Sequence, residues 1–234
     1  MDLEGRRMLI TGGSAGIGEA LAELALERGL KVAINGRDGE KLAAASGRLG
    51  APGIEGDVGK DASRIVSESV EALGGLDVLI NNAGWGHRMA LDEIDAEKFR
   101  AMWETNVLGA ALMAQAALPH LSGGGDIVNV ASTAGGRGYP TGTAYCSTKF
   151  ALRGMTECWQ AELRPRDIRV VCVNPSEVQT AFGGRDPERR KNPHKLVGRD
   201  IAEAILGCLA LESRAMIPEL TVWATNPWRE DDNA

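Results

Sequence analysis

The sequence predicts an α/β fold built on one doubly wound parallel sheet with helices on both faces. Three observations carry this. Short apolar runs alternate with longer stretches of helical period from Met8 to about Val222. The runs are apolar at consecutive positions, as in strands buried on both faces. Glycine, 30 of 234 residues, is nearly twice its usual share of about 7%. It gathers where the first run gives way to a helix, at Gly12, Gly13, Gly16 and Gly18.

The elements follow in order. Met8–Thr11 reads as the first strand, and Gly16–Arg28 as the helix after it, with Ile17, Ala20, Leu21, Leu24 and Ala25 on one face. Val32–Ile34 is the second strand, followed by a helix that begins near Glu40 behind Asp38 as N-cap. A third short strand ends at Asp57-Val58, and Ala62–Leu73 is the next helix, with Ile65, Val66 and Val70 inward. Asp77–Ile80, Asp126–Val130 and Ile168–Val173 read as further strands, and 97–118, 143–164 and 199–211 as helices. No Pro/Gly/Ser linker interrupts the alternation, so residues 1–234 are expected to form one domain. Residues 182–195 are the longest irregular polar segment and are expected to form a short substrate loop, and the C-terminal tail to fray.

Composition narrows the function classes. Hydrophobic residues make up 44%, too many for a disordered chain. No apolar stretch approaches the ~18 residues of a membrane helix, and Met1–Arg7 is too charged for a signal peptide. A formal charge of −6 argues against nucleic acid as a partner. Cys146, Cys158, Cys172 and Cys208 show no CxxC spacing and read as free thiols of a cytoplasmic protein. His87, His120 and His194 are scattered, so no metal site is expected.

Gly12-Gly13-Ser14-Ala15-Gly16-Ile17-Gly18 joins the first strand to the first helix. Glycines there allow positive φ and close backbone approach, and the helix start offers N–H groups to a pyrophosphate. Ser14 adds a hydroxyl donor or caps the helix. The second strand ends at Gly36-Arg37-Asp38. An acidic side chain there would suit the ribose of NAD, whereas Arg37 suits the extra phosphate of NADP. NADP is therefore the preferred cofactor, with NAD as the alternative.

Four further signatures follow: Asn81-Asn82-Ala83-Gly84 at the end of the fourth strand, Asn106, Ser132 after the fifth strand, and Tyr145-x-x-x-Lys149 at the start of a helix. With these the chain resembles the short-chain dehydrogenase/reductase family from Arg7 to Val222, and within it members similar to 3-oxoacyl-[acyl-carrier-protein] reductases. The resemblance implies a Rossmann fold of about seven strands and a hydride transfer between a nicotinamide and a carbonyl carbon. Tyr145 would supply the proton to the nascent alkoxide. Free tyrosine titrates near ~10, and Lys149, one turn along the same face, favours tyrosinate. Ser132 would hold the substrate oxygen. Asn106 is a poor helix former inside 97–118, and in the family this position helps hold a water that links the lysine to solvent.

By the same resemblance, Asp57 and Val58 hold the adenine, and Asn82, Ala83 and Gly84 line the cofactor. Tyr145 and Lys149 approach the nicotinamide ribose. Asn174-Pro175 ends the sixth strand, and Pro175, Val178 and Thr180 border the nicotinamide. The family usually has glycine after that proline; Ser176 here is expected to disturb the turn. The substrate walls are expected at the strand ends, residues 85–90, 133–140 and 176–195, with Trp85, His87, Tyr139, Pro140 and Phe182 as candidate lining residues. The basic run Arg185, Arg189, Arg190, Lys191 and Lys195 faces water or attracts an anionic partner. The ending Met216–Pro227 favours a 3-oxoacyl substrate. Asp126, in place of the basic residue that carrier-protein reductases often carry just before strand five, argues against it.

The expected activity is NADPH-dependent reduction of a ketone, a 3-oxoacyl thioester or a small carbonyl compound, to a secondary alcohol. The alternatives are an NAD-dependent secondary alcohol dehydrogenase and a non-catalytic dinucleotide-sensing protein. A homo-dimer or homo-tetramer is expected through the helices 97–118 and 143–164, with Phe99, Met102, Trp103, Met113, Met155 and Trp159 as contacts. Trp223 and Trp228 would serve a second interface.

Overall fold

A computed structural model describes residues 2–121, 123–184 and 192–228. Seven strands form one parallel sheet: β1 (Arg7–Thr11), β2 (Lys31–Gly36), β3 (Gly53–Glu55), β4 (Val78–Asn81), β5 (Gly125–Val130), β6 (Ile168–Pro175) and β7 (Glu219–Val222). Their order is β3-β2-β1-β4-β5-β6-β7. The chain steps outward from β1 to β3, then returns to place β4 beside β1. That reversal opens a crevice between the loops after β1 and β4, where doubly wound sheets bind ligands.

Helices cover both faces: α1 (Gly16–Glu27), α2 (Gly39–Leu49), α3 (Ala62–Leu73), α4 (Ala96–Trp103), α5 (Ala110–Ala117), α6 (Thr143–Leu163) and α7 (Gly198–Leu209). Strand pleating divides the core into two layers. Met8 and Ile10 pack on one side with Leu21 and Leu24 of α1 and Ile201 and Ile205 of α7. Leu9 packs on the other with Ile65 and Val66 of α3 and Met113 of α5. The consecutive apolar runs read from the sequence are thus strands buried on both faces. Among the described residues no helix is long and apolar enough to cross a membrane.

Three expectations are corrected. β3 stops at Glu55, so Asp57 and Val58 do not end a strand. As an edge strand it pairs only with β2, and Asp57 already starts the turn into α3: its carboxylate accepts from Gly59 N at 2.8 Å and its carbonyl from Asp61 N at 2.7 Å. The stretch 97–118 is not one regular helix, because a π turn over Glu104–Gly109 separates α4 from α5. Met102 and Met113 are fully buried within the subunit and cannot be interface contacts. Trp103, Trp223 and Trp228 are exposed.

The N-terminal edge of the sheet carries a closed set of charges. Asp126 is the second residue of β5, not a residue before it. It is nearly inaccessible and receives Arg6 Nη2 at 2.7 Å and Arg169 Nε at 2.6 Å. Arg169 also donates to the carbonyls of Leu209, Leu211 and Ala215, which tie down the end of α7. Beside them Arg7 forks onto Asp77 with bonds of 2.8 and 2.7 Å. That guanidinium holds the Asp77 carboxyl below its ordinary range.

Candidate active site

The C-terminal edge is arranged differently. Gly12 and Gly16 take φ of 63° and 61°, which bends the chain from β1 into α1. Gly18 is required by contact rather than conformation: a β-carbon there would lie 2.4 Å from the Gly12 carbonyl. Ala15 is the N-cap of α1 and provides no side-chain cap. In α2 and α4, by contrast, Asp38 and Asp95 accept from the first-turn amides. No side chain caps the amides that open α1.

The loop is locked to the end of β4. Thr11 Oγ1 accepts from the amides of Asn82 and Ala83, each at 3.0 Å. The Asn82 side chain donates to the carbonyls of Thr11 and Gly12 at 2.9 and 3.1 Å. Asn82 thus bridges the two loops that flank the crevice.

Ser132 follows β5 and caps a single turn, its Oγ accepting from Ala134 N at 3.1 Å. A hydroxyl that accepts there keeps its hydrogen for donation. Tyr145 lies in the first turn of α6. Its ring packs at 5.6 Å from that of Phe182, tilted by 58°. A β-carbon on Gly86 would come within 3.0 Å of the Tyr145 ring and 3.1 Å of the Phe182 ring, so Gly86 lets both rings close on the backbone.

Lys149 is buried, with Nζ donating to the Val130 carbonyl at 2.9 Å and standing 5.8 Å from the centre of the Tyr145 ring. Burial pushes its ammonium down to about 8, partly offset by the nearby Cys172 sulfur. The same burial pushes the Cys172 thiol up to about 11.

Asn106 sits in the π turn and is almost wholly buried. Its amide accepts from Trp85 N at 3.0 Å and donates to Trp85 O at 2.9 Å and to Thr148 Oγ1 at 3.1 Å. Thr148 in turn donates to the Tyr145 carbonyl at 2.8 Å. A π turn displaces one residue from the helical ladder, which frees Asn106 to bind the end of the β4 loop to α6. Gly84 fits between: a β-carbon there would stand 3.1 Å from Asn106 Oδ1 and 3.7 Å from Lys149 Nζ.

These elements enclose one cavity of about 680 Å³. Gly12, Gly16, Ile17, Asn82, Ala83 and Gly84 line one part; Ser132, Tyr145 and Lys149, with Pro175, Val178, Thr180, Tyr139 and Phe182, line the rest. Several predicted residues are not on its wall. Gly18 is packed behind the loop, and Ser14 lies against Gly36, where a β-carbon would stand 3.1 Å from its Oγ. Arg37 and Asp57 face each other at 3.6 Å beyond β2. The Val58 side chain is buried. Trp85 packs against the cluster of Met89, Met102 and Ala144, and His87 is exposed. Ser176 donates its amide to Val222 O at 2.9 Å, and its φ lies outside the left-handed region, so glycine is not needed there. Residues 185–191 of the expected substrate loop, with Arg185, Arg189, Arg190 and Lys191, lie outside the described residues, as does the tail from 229.

Sequence reasoning placed Gly86, Arg88, Arg137 and Glu177 within the expected wall segments without singling them out, missed Thr148, and gave Trp223 only an interface role. Arg88, Arg137, Glu177 and Trp223 line the cavity. Gly86 and Arg88 lie two and four residues beyond the Asn82-Ala83-Gly84 signature, on the loop that continues from it.

The residues fit a dinucleotide. The start of α1, which has no side-chain cap, lines the same cavity as the Ser132/Tyr145/Lys149 group. A β-carbon on Gly16 would stand 3.3 Å from the Thr180 side chain and fill the space between them.

Comparison with known proteins bears on the family and the fold. The family model described as short chain dehydrogenase matches residues 6–191. An uncharacterized oxidoreductase of Methylorubrum extorquens is 38% identical over 188 residues, covering 76% of this chain and 75% of its own length. The alcohol dehydrogenase of the archaeon Thermococcus sibiricus, solved with 5-hydroxy-NADP, superposes with a TM-score of 0.87 at 31% identity, covering 97% of this chain and 99% of its own. The 3-ketoacyl-(acyl-carrier-protein) reductase of Brucella melitensis, solved with NADH, gives a TM-score of 0.87 at 30% identity, covering 96% and 99%.

Proposed function

The chain belongs to the short-chain dehydrogenase family, and on that premise we propose that it is an NADPH-dependent reductase of ketones. One observation carries the reading: the open start of α1 and the Ser132/Tyr145/Lys149 group line a single cavity. When bound, the reduced nicotinamide supplies a hydride to the carbonyl carbon. The chain handles the oxygen. Ser132 donates its hydroxyl hydrogen to the carbonyl oxygen as charge builds there. Tyr145 gives that oxygen its phenolic proton, which completes the secondary alcohol and leaves a tyrosinate. The Lys149 ammonium, 5.8 Å from the ring centre, stabilises the tyrosinate until solvent reprotonates it. Asn106 and Thr148 hold the loop and helix that carry this pair.

Arg37 supports NADPH over NADH. Its side chain is 56% exposed at the end of β2, with Asp57 3.6 Å away, where a doubly wound fold places the adenosine ribose. The named neighbours contain an NADP analogue and NADH, one each. A 3-oxoacyl thioester or another small carbonyl compound is the substrate we favour, in keeping with the Brucella enzyme's name. We also favour a homo-oligomer in the cytoplasm; exposed Trp103, Leu108 and Phe150 on the α4–α6 face supply an apolar contact surface. Fluorescence titration tests the cofactor. NADPH should bind at least about tenfold more tightly than NADH, and Arg37→Ala should erase that difference. Tighter NADH binding by the unaltered protein would favour the NAD-dependent dehydrogenase instead. Failure to turn over any ketone or secondary alcohol would favour a dinucleotide sensor.

A further inference from the structure

We propose that the carbonyl substrate is a keto acid whose carboxylate is held by Arg88 and Arg137. This deepens the reductase reading and rests on it. Both arginines line the cavity that contains Ser132 and Tyr145. They stand on the loops after β4 and β5, whereas the pyrophosphate cradle follows β1, on the other side of β4 in the sheet. The two guanidinium groups therefore border the carbonyl-binding end.

Their charge is available. Among the described residues neither lies within ion-pair distance of a carboxylate, unlike Arg6, Arg7 and Arg169 at the opposite edge. Glu177, the one carboxylate among the residues lining the cavity, has Lys195 3.3 Å away. Lys149 adds a third cation to the wall. A chain of net charge −6 thus presents a locally positive cavity, the arrangement that attracts an anion.

Arg88 is also positioned. Its guanidinium carbon lies 5.4 Å from the centre of the Tyr139 ring, a cation–π contact that leaves the guanidinium edge to accept a carboxylate. Met89 N donates to Thr141 O at 3.0 Å, which joins the Arg88 loop to the Tyr139 turn. Thr141 holds φ at 65°, a left-handed conformation rare for a β-branched residue, so the surrounding contacts fix this turn. The same cavity lining includes the aromatic rings of Tyr139, Phe182 and Trp223. Such a wall suits a short apolar stem between carbonyl and carboxylate.

The test compares keto acids with their methyl esters, the carbonyl lying one, two or three carbons from the carboxyl carbon. NADPH consumption is followed with the wild type, Arg88→Met, Arg137→Met and the double variant. The wild type should prefer at least one acid over its ester by tenfold or more in kcat/KM. The single variants should raise KM for that acid at least fivefold, and the double variant should abolish the preference. Ester turnover and the KM for NADPH should stay within twofold. Equal turnover of acids and esters by the wild type, or a preference that survives the double variant, overturns the proposal and leaves the reductase reading standing. A matching rise in the KM for NADPH also overturns it, by assigning the arginines to the cofactor. If neither acids, esters nor other ketones are reduced, the reductase reading fails and this proposal falls with it.

Discussion

The two edges of the sheet use the same kinds of side chain to opposite ends. At the N-terminal edge Arg6, Arg169 and Asp126, with Arg7 and Asp77, bind one another. At the C-terminal edge α1 begins without a side-chain cap, and Lys149 is buried against a single carbonyl. Groups that neutralise each other contribute to stability. Groups held open cost stability and are available for chemistry. The polarity of a parallel sheet sorts the two: every βα loop gathers at one edge, and the other edge is free to close on itself.

The largest effect on folding should come from the closed edge. Asp126→Ala would leave two guanidinium groups facing a buried gap, at a cost of about 3–5 kcal/mol. Thermal unfolding should fall by roughly 10 °C, while turnover per folded molecule stays within about twofold. A large loss of turnover in the folded variant would break the separation of the edges.

Lys149→Met should do the reverse. Burial lowers the folded-state ammonium to about 8, so between about pH 8 and 10.5 the unfolded chain binds the extra proton. Stability then rises with pH across that window, and at neutral pH the charged lysine is a burden. The methionine variant should be more stable at pH 7 by on the order of 2 kcal/mol, lose that pH slope, and lose turnover. Chemical denaturation at pH 7 and pH 10 reads both quantities. A variant less stable than the wild type at pH 7 would contradict the account of Lys149 as strained.

A smaller effect should come from closing α1. Ala15 has the extended backbone of an N-cap, φ −163° and ψ 163°, and Ala15→Asp should cap the helix as Asp38 caps α2. A gain of about 0.5–1 kcal/mol is expected, together with at least tenfold weaker NADPH binding by titration, because the carboxylate occupies the amides and repels pyrophosphate. Unchanged cofactor affinity would mean that the pyrophosphate does not use this helix start.

Much of both edges was legible in the sequence, and for physical reasons. Strands buried on both faces must be apolar at consecutive positions, so β1, β4, β5 and β6 could be read directly. Gly12, Gly16 and Gly18 are fixed by local backbone demands. Ser132, Tyr145 and Lys149 stand out through the family resemblance that their order along the chain carries. What failed to show depends on distant chain coming together. The π turn accompanies bonds from Asn106 to the Trp85 backbone and Thr148, partners 21 and 42 residues away. Asp126 has its role only because Arg6 and Arg169 flank β5 in space. The loops of Arg88 and Arg137 were expected to wall the substrate, but no periodicity encodes which of their side chains line the cavity. The early end of β3 reflects its single neighbour, β2.

The central claim is that the open edge carries the chemistry through Tyr145. Single-turnover reduction of a ketone by Tyr145→Phe, with NADPH affinity and thermal unfolding measured on the same preparation, tests it most directly. Loss of the phenolic proton should slow the chemical step by about 10²–10⁴-fold, with affinity and unfolding temperature nearly unchanged. A phenylalanine variant that reduces the ketone at the wild-type rate would contradict it.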